Sequence, residues 1–197
     1  EKSLSEIVRR HEALRTVITT ADGTPQQLVT PARPVPLPVV DLRALPETDR
    51  QDEADRRAHA EVNRVFDLET DLPIRALLLR LADEEHLLII TVHHVAFDGW
   101  SIRLFMNELL TAYEAYCAGK APTLPPLPVQ YTDHAGWQRE RLRDGTLDPH
   151  LNYWRDQLAG APVLDLPTDH ARPAKQSYRG ARHRFHLPES VTTALNA

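Results

Sequence analysis

Apolar residues recur along the chain with two spacings, one typical of helices and the other of strands. Near the start, three apolar residues share one helical face: Leu4, Ile7 and Val8. A loose alternation over residues 13–20, turn residues at 21–24 and a second run over 26–30 predict a β-hairpin. The chain therefore begins with a predicted helix followed by two antiparallel strands.

Two strongly apolar segments in the middle of the chain predict the core strands. They span residues 74–82 and 86–93 and are joined by a polar turn, Asp83-Glu84-Glu85. Because both segments are almost continuously apolar, we expect central strands with helices packed on both faces of the sheet. A shorter strand is predicted at residues 38–42, after a proline-rich connector.

Further helices follow from apolar stripes with helical spacing. Residues 47–66 carry charge on most faces, so this helix is predicted to face solvent. Residues 100–118 predict a helix that covers the sheet. Its apolar side is expected in the core and has six members: Ile102, Phe105, Met106, Leu109, Tyr113 and Tyr116. The last predicted elements are two helices, at residues 130–143 and 149–158, and a strand of mixed polarity at 176–187. Together the elements predict an α/β fold of the two-layer α+β kind, with a mixed, mostly antiparallel sheet.

Composition removes several classes of function. The chain has 23 basic and 28 acidic residues, a net charge of −5, and no lysine-rich run, so nucleic acid is not an expected partner. No apolar run approaches the ~18 residues of a membrane span and no signal peptide opens the chain, so we expect no membrane association and a cytoplasmic location. The single cysteine, Cys117, excludes an internal disulfide and is predicted to be a buried or half-buried filler late in a helix.

The segment from His93 to Gly99 lies where a buried strand is predicted to end and a helix to begin, a common place for function. Neighbouring side chains on a strand point to opposite faces, so only one of His93 and His94 can face a cavity. Their diverging ring nitrogens make poor ligands for one ion, so no metal is expected. The alternative is a pair of structural histidines with satisfied hydrogen bonds.

Asp98 and Gly99 favour a functional turn over that alternative. An aspartate four residues beyond His94 can pair with a cation and stiffen the loop, and glycine permits a special backbone conformation or a close ligand approach. A serine nucleophile has no support, because Ser101 lacks the Gly-x-Ser-x-Gly elbow. Ser101 fits better as a residue of the first helical turn.

Residues 93–99 resemble the His-His-x-x-x-Asp-Gly motif of the condensation domains of nonribosomal peptide synthetases, and Trp100 and Ser101 extend the match. Residues 10–16 are similar to the family's Arg-His-Glu-x-Leu-Arg-Thr segment. Residues 131–138 resemble its Tyr-x-Asp-(aromatic)-Ala-x-Trp-Gln segment. The histidine motif alone is shared with chloramphenicol acetyltransferase and its relatives, whereas three motifs in order are specific.

The resemblance implies a chloramphenicol acetyltransferase-like lobe. Residues 1–187 would be the N-terminal lobe of a condensation domain, truncated at its start, and residues 188–197 the beginning of the linker or helix into the missing C-terminal lobe. Both ends of the chain interrupt predicted helices, which agrees with a piece of a larger protein. His134 stands where the family usually has Tyr or Phe.

The resemblance also implies an activity, that of an amide-forming acyltransferase joining L donors to L acceptors. Donor and acceptor are thioesters on the 4′-phosphopantetheine arms of peptidyl carrier proteins, and they meet in a tunnel between two lobes. An adenylation domain is the expected neighbour, and no cofactor is expected to bind this chain directly. The isolated chain, with one tunnel wall, is expected to be inactive.

His94 is the catalytic residue that the resemblance implies, with two roles left open. It acts either as general base toward the attacking amine, or by positioning the amine and stabilising the tetrahedral intermediate. His93 is implied to be a structural hydrogen-bonder, and Asp98 to organise the loop through an arginine of the other lobe. Gly99 is implied to permit close approach of the thioester.

Other motif residues have implied roles in binding or structure. Trp100 and Ser101 are candidates for substrate binding, whereas Arg10 and Arg15 are structural. Three residues of the last motif are expected to pack and shape the lobe: Tyr131, Asp133 and Trp137. Epimerisation or ester-forming relatives, and a noncatalytic recruitment platform with the same fold, remain alternative functions.

Overall fold

The computed structural model describes residues 1–175 and 183–196, which fall into two units, Glu1–Pro149 and His150–Ala197. The helices are α1 (Lys2–Arg10), α2 (Glu47–Asn63), α3 (Gly99–Cys117), α4 (Tyr131–Arg143), α5 (Asp148–Gln157) and α6 (Glu189–Leu195). The strands are β1 (Thr16–Ala21), β2 (Thr24–Val29), β3 (Val39–Asp41), β4 (Ile74–Arg80) and β5 (His86–Val92).

The predicted hairpin is formed by β1 and β2, which pair in antiparallel register. Both turn residues lie in the left-handed region, Asp22 at φ 51° and Gly23 at φ 73°. Two successive left-handed residues match the right-handed twist of the flanking strands, which is why an Asp-Gly pair closes this hairpin. The first strand starts later than predicted, because Glu12–Arg15 forms a 3₁₀ turn.

The larger sheet has the order β3-β4-β5, with β3 parallel and β5 antiparallel to β4. Alternate residues of β4 enter different cores. Ile74 and Ala76 pack in a cluster with α1 and α3, whereas Leu79 packs with Ala54 of α2. Helices therefore cover both faces of the sheet, and the predicted α/β class is confirmed.

Strand β5 and helix α2 also differ from the sequence prediction. Strand β5 is an edge of the described sheet rather than a central strand, and Leu88 is correspondingly exposed. The helix predicted over residues 47–66 ends at Asn63, because Arg75 binds its last carbonyls and a turn starts at Asp67. Phe66 therefore lies outside the helix.

The buried face of α3 is narrower than the predicted one. It consists of four residues that point toward α1 and β4: Phe105, Glu108, Leu109 and Ala112. Met106 and Tyr113 are exposed, because each lies one residue from a buried position and so points about 100° away from the packed stripe. Ile102 is exposed as well, although it lies three residues before Phe105 on the same stripe, in the first turn of the helix. Cys117 is also exposed rather than buried.

Unit His150–Ala197 has a different character from the first unit. Every residue described in it is exposed, and its helical content comprises most of α5 together with α6. Within the strand predicted at 176–187, residues 176–182 lie outside the described residues and 183–187 form no strand. Over both described ranges, no helix is long and apolar enough to cross a membrane.

Candidate functional site

The two histidines follow the strand instead of lying in it, because β5 ends at Val92. The predicted alternation along a strand therefore does not separate their side chains. The two histidines instead begin a turn, in which the Ala96 amide donates to the His93 carbonyl over 3.0 Å. We call residues 93–96 the histidine turn. His93 is half-buried and His94 is exposed.

His93 is held on both its backbone and its ring. Its amide donates to the carbonyl of Pro73 over 2.8 Å, and its ring Nδ1 accepts from the Val95 amide over 3.1 Å. An accepting Nδ1 carries no proton, so the neutral ring has its proton on Nε2. The ring also meets Phe66 edge to face, with centroids 5.7 Å apart. These contacts make His93 part of the turn's framework.

His94 opens onto a concave surface that we call the histidine groove. Two adjoining cavities of about 170 and about 220 Å³ form it and share five lining residues: Ala13, Ala96, Phe97, Ser101 and Tyr131. His94 and Asp98 line one end, and Leu14, Leu104, Phe105 and His11 line the other. Over residues 1–175 and 183–196, no side chain hydrogen-bonds to the His94 ring. Its nitrogens are therefore available to a group bound in a largely apolar groove.

Asp98 organises the start of α3. Its Oδ1 accepts from the Ser101 amide over 2.9 Å and from the Ser101 hydroxyl over 2.7 Å, which makes it the N-cap. These bonds hold the pKa of the Asp98 carboxyl below its usual range, and the nearby His94 acts weakly in the same direction. Asp98 is thus a negative charge that fixes the helix at the end of the groove.

The three residues after Asp98 differ in what they contact. Gly99 has an ordinary helical φ, so the predicted special backbone conformation is wrong, and a Cβ there would meet nothing within 4 Å. Ser101 lines both cavities of the histidine groove. Trp100 is 90% exposed and is absent from the described lining of the groove. Like Trp100, Gly99 is absent from the residues that line the two cavities.

A buried ionic cluster ties α1 to α3 at the opposite end of the groove. We call Arg10, His11 and Glu108 the anchor cluster. The Glu108 carboxylate accepts from Arg10 Nε over 3.2 Å and lies 2.6 Å from His11 Nε2. The Glu108 and Arg10 side chains are only 9% and 11% exposed. Removing one partner would leave the other charge buried and unpaired, so this contact stabilises the packing of α1 against α3. We call that packing the frame of the groove.

The remaining motif residues join the 3₁₀ turn to its neighbours. Arg15 donates to the Thr30 carbonyl over 2.6 Å and pairs with Glu12 over 3.1 Å. The Gln130 side chain accepts from the Glu12 amide over 3.1 Å and donates to the Arg10 carbonyl over 3.0 Å. Gln130 therefore positions the start of α4, from which Tyr131 forms a wall of the groove.

Sequence reasoning missed four residues that support the site, and each carried a readable signal. Glu108 is a carboxylate on the buried stripe of α3, and Arg75 is a charge inside an apolar strand. Buried charges of this kind are paired in folded proteins. Phe66 and Gln130 gave weaker signals, since their partners are distant in sequence. Across both described ranges, no three His, Cys, Asp or Glu side chains are arranged to hold a metal ion.

Comparison with known proteins places this geometry in one family. The profile of the condensation-domain family, described as "Condensation domain", matches residues 1–197. The chain is 46% identical over 194 residues to the phosphinothricin tripeptide synthetase PhsC of Streptomyces viridochromogenes, and 42% identical over 198 residues to the malpinin synthetase of Mortierella alpina. It spans 18% and 2% of their lengths, and 98% and 99% of this chain is covered.

A solved structure agrees with the sequence comparison. The complex of the X-domain and OxyB from teicoplanin biosynthesis contains a chain similar to this one, with a TM-score of 0.80 and 36% identity over 91% of this chain and 39% of that chain. The fold is that of the chloramphenicol acetyltransferase-like acyltransferases. Within that class, the chain belongs to the condensation-domain family of nonribosomal peptide synthetases.

Proposed function

We propose that this chain supplies the histidine-bearing lobe of a domain that forms peptide bonds between carrier-bound thioesters. The donor is an acyl or peptidyl thioester and the acceptor an aminoacyl thioester, each on the phosphopantetheine arm of a carrier protein. The observation that carries the proposal is the exposed His94 ring, presented by a fixed turn to the histidine groove in a member of this family.

In the proposed step, the acceptor nitrogen attacks the carbonyl carbon of the donor thioester. The new carbon–nitrogen bond forms, the nitrogen loses a proton, and the carbon–sulfur bond breaks. His94 receives that proton and returns it to the departing thiolate, or holds the amine and the intermediate by hydrogen bonds while the tethered substrates supply the approximation. The exposed ring of His94 is compatible with both routes.

Several finer features are proposed on the resemblance of the motifs. The donor and the acceptor are both L-configured, and the neighbouring domains include two carrier proteins and an adenylation domain. Residues 1–187 act as the N-terminal lobe, residues 188–197 lead into the C-terminal lobe, and the protein works in the cytoplasm. Gly99 and Ser101 contact the thioester arm, whereas Arg10 and Arg15 act structurally.

The test compares His94→Ala with His86→Ala in the full-length protein. His86 lies at the far end of β5 and is exposed, so it is a matched control for removing an imidazole. Donor and acceptor carriers are loaded first, and carrier-bound products are then followed by mass analysis. We expect His94→Ala to lose about 100- to 10,000-fold in condensation rate with unchanged loading. Wild-type condensation by His94→Ala would overturn the proposal.

A second function is favoured by one comparison. A structural neighbour at 36% identity is described in complex with OxyB, which fits a recruitment platform. A platform predicts that His94→Ala changes neither carrier loading nor product, and that tailoring enzymes bind the protein. Pulldown of carrier proteins against tailoring enzymes, with the wild type and His94→Ala side by side, separates the two functions.

A further inference from the structure

An arginine and an aromatic ring are stacked behind the histidine turn. The Arg75 guanidinium carbon lies 3.6 Å from the centre of the Phe66 ring, and the Phe66 ring meets the His93 ring at 5.7 Å and 83°. Among the described residues, the lining of the histidine groove includes none of these three. The stack therefore acts on the turn from outside the groove.

Arg75 is held firmly at the start of this stack. Its Nε donates to the Glu61 carboxylate over 2.8 Å, and a terminal nitrogen donates to the carbonyls of Arg64 over 2.8 Å and Glu61 over 3.2 Å. The side chains of Arg75 and Glu61 are 11% and 12% exposed. The other terminal nitrogen, buried, has no hydrogen-bond partner in the described residues. The face of the Phe66 ring stabilises this cation instead.

Phe66 is fixed in turn by the segment that follows it. The Asp67 carboxylate accepts from the Thr70 hydroxyl over 2.7 Å and from the Glu69 amide over 3.1 Å. These bonds lower the pKa of Asp67 and keep it charged. The Asp67 amide donates to Asp71 over 3.0 Å. This closed turn fixes the backbone that immediately follows Phe66.

We infer that Phe66 and Arg75 are positioning residues for the reaction of His94. They hold the His93 ring so that its Nδ1 accepts from the Val95 amide, and that bond closes the turn that presents His94. The inference rests on the proposed function, in which His94 acts on the acceptor amine. Without the stack, the His93 ring is free to rotate, and the position of His94 relaxes.

The experiment uses Phe66→Leu and Arg75→Met in the full-length protein. Phe66→Tyr and Arg75→Lys are the conservative variants, which keep the ring or the charge. Arg80→Met is the matched control, because Arg80 lies on the same strand and pairs with Asp83 over 3.1 Å at an exposed site. Two readouts are recorded: the single-turnover condensation rate with loaded carriers, and the hydrogen exchange of amides 93–96.

We expect Phe66→Leu and Arg75→Met to lower the condensation rate about 10- to 100-fold, because small displacements of a reacting group are costly. Carrier loading stays unchanged. In Phe66→Leu, the Val95 and Ala96 amides exchange faster, while peptides of α1 and α3 keep their rates. Arg75→Met also leaves the largely buried Glu61 carboxylate without its Arg75 partner, so faster exchange throughout the protein is expected in that variant. Phe66→Tyr and Arg75→Lys recover part of the rate, and Arg80→Met behaves as the wild type.

Three contrary results are distinguishable. Unchanged rate in Phe66→Leu and Arg75→Met, alongside an inactive His94→Ala, would overturn the positioning role and leave the proposed function standing. Wild-type condensation by His94→Ala would overturn the proposed function and the positioning role with it. Exchange that accelerates across the whole protein in Phe66→Leu would overturn the positioning role as well, since it reports a general loss of stability.

Discussion

The anchor cluster and the histidine turn border the same groove but are stabilised in different ways. In the anchor cluster, the buried Glu108 carboxylate joins Arg10 and His11 across 98 and 97 residues of sequence. The histidine turn instead depends on two backbone amides, one ring nitrogen and an aromatic contact. The anchor cluster fixes where the walls lie, and the turn sets where His94 points.

The contrast teaches which changes affect stability and which affect chemistry. Losing one member of a buried ionic cluster exposes an uncompensated charge, so its cost falls on folding. Losing the exposed His94 ring leaves no buried group without a partner, so under the proposed function its cost falls on the reaction. Substitutions of intermediate effect test whether the stability of the frame and the rate of the proposed reaction vary independently.

The largest stability effect is expected from Glu108→Ala. It leaves Arg10 buried without its carboxylate, and we expect a loss of about 3 to 5 kcal/mol in the free energy of unfolding, measured by denaturant titration. Glu114→Ala is the control, because Glu114 is an exposed residue of the same helix. Equal unfolding midpoints for the two variants would contradict the role of the anchor cluster as the frame.

A smaller effect is expected from Gln130→Ala, which removes the bridge between α4 and the backbone of Arg10 and Glu12. Leaving those two backbone groups unpaired costs about 1 to 3 kcal/mol. Hydrogen exchange at the start of α4 is expected to accelerate, because Tyr131 loses its support. Gln138→Ala, at an exposed position of α4, is expected to change neither quantity. Unaltered exchange at the start of α4 in Gln130→Ala would argue against the bridge.

A still smaller effect on stability, of opposite sign, is expected from Gly99→Ala. A Cβ meets nothing within 4 Å there, so alanine stabilises the helix by up to about 1 kcal/mol. Condensation is nevertheless expected to slow, because the methyl group occupies space proposed for the thioester arm. Gly136→Ala, equally open within α4, is expected to stabilise without slowing. Wild-type condensation by Gly99→Ala would remove the proposed contact.

Local patterns predicted much of the fold. The hairpin, both core strands and the long helix after His94 follow from periodicity and turn residues, because these depend on neighbours in sequence. The orientation of the long helix about its own axis does not follow. Phe105 and Met106 are both large apolar residues, yet only Phe105 is buried, because packing against α1 selects the stripe.

The candidate site also has one part that local sequence predicted and another that it did not. The motif from His93 to Gly99 locates the turn and the groove, since it lies within a few residues. Its supports lie far away in the chain: Phe66 and Arg75 behind His93, and Glu108 beneath Arg10. A single sequence shows that a charged residue lies in an apolar segment, but only the folded structure shows which residue pairs with it.

The separation of frame and chemistry is tested most directly on His94→Ala, with unfolding and condensation measured on the same preparation of the full-length protein. We predict a free energy of unfolding within about 0.5 kcal/mol of the wild type, as for a surface substitution. Condensation is predicted to fall about 100- to 10,000-fold. Retained condensation, or a loss of stability comparable to that of Glu108→Ala, would contradict the account.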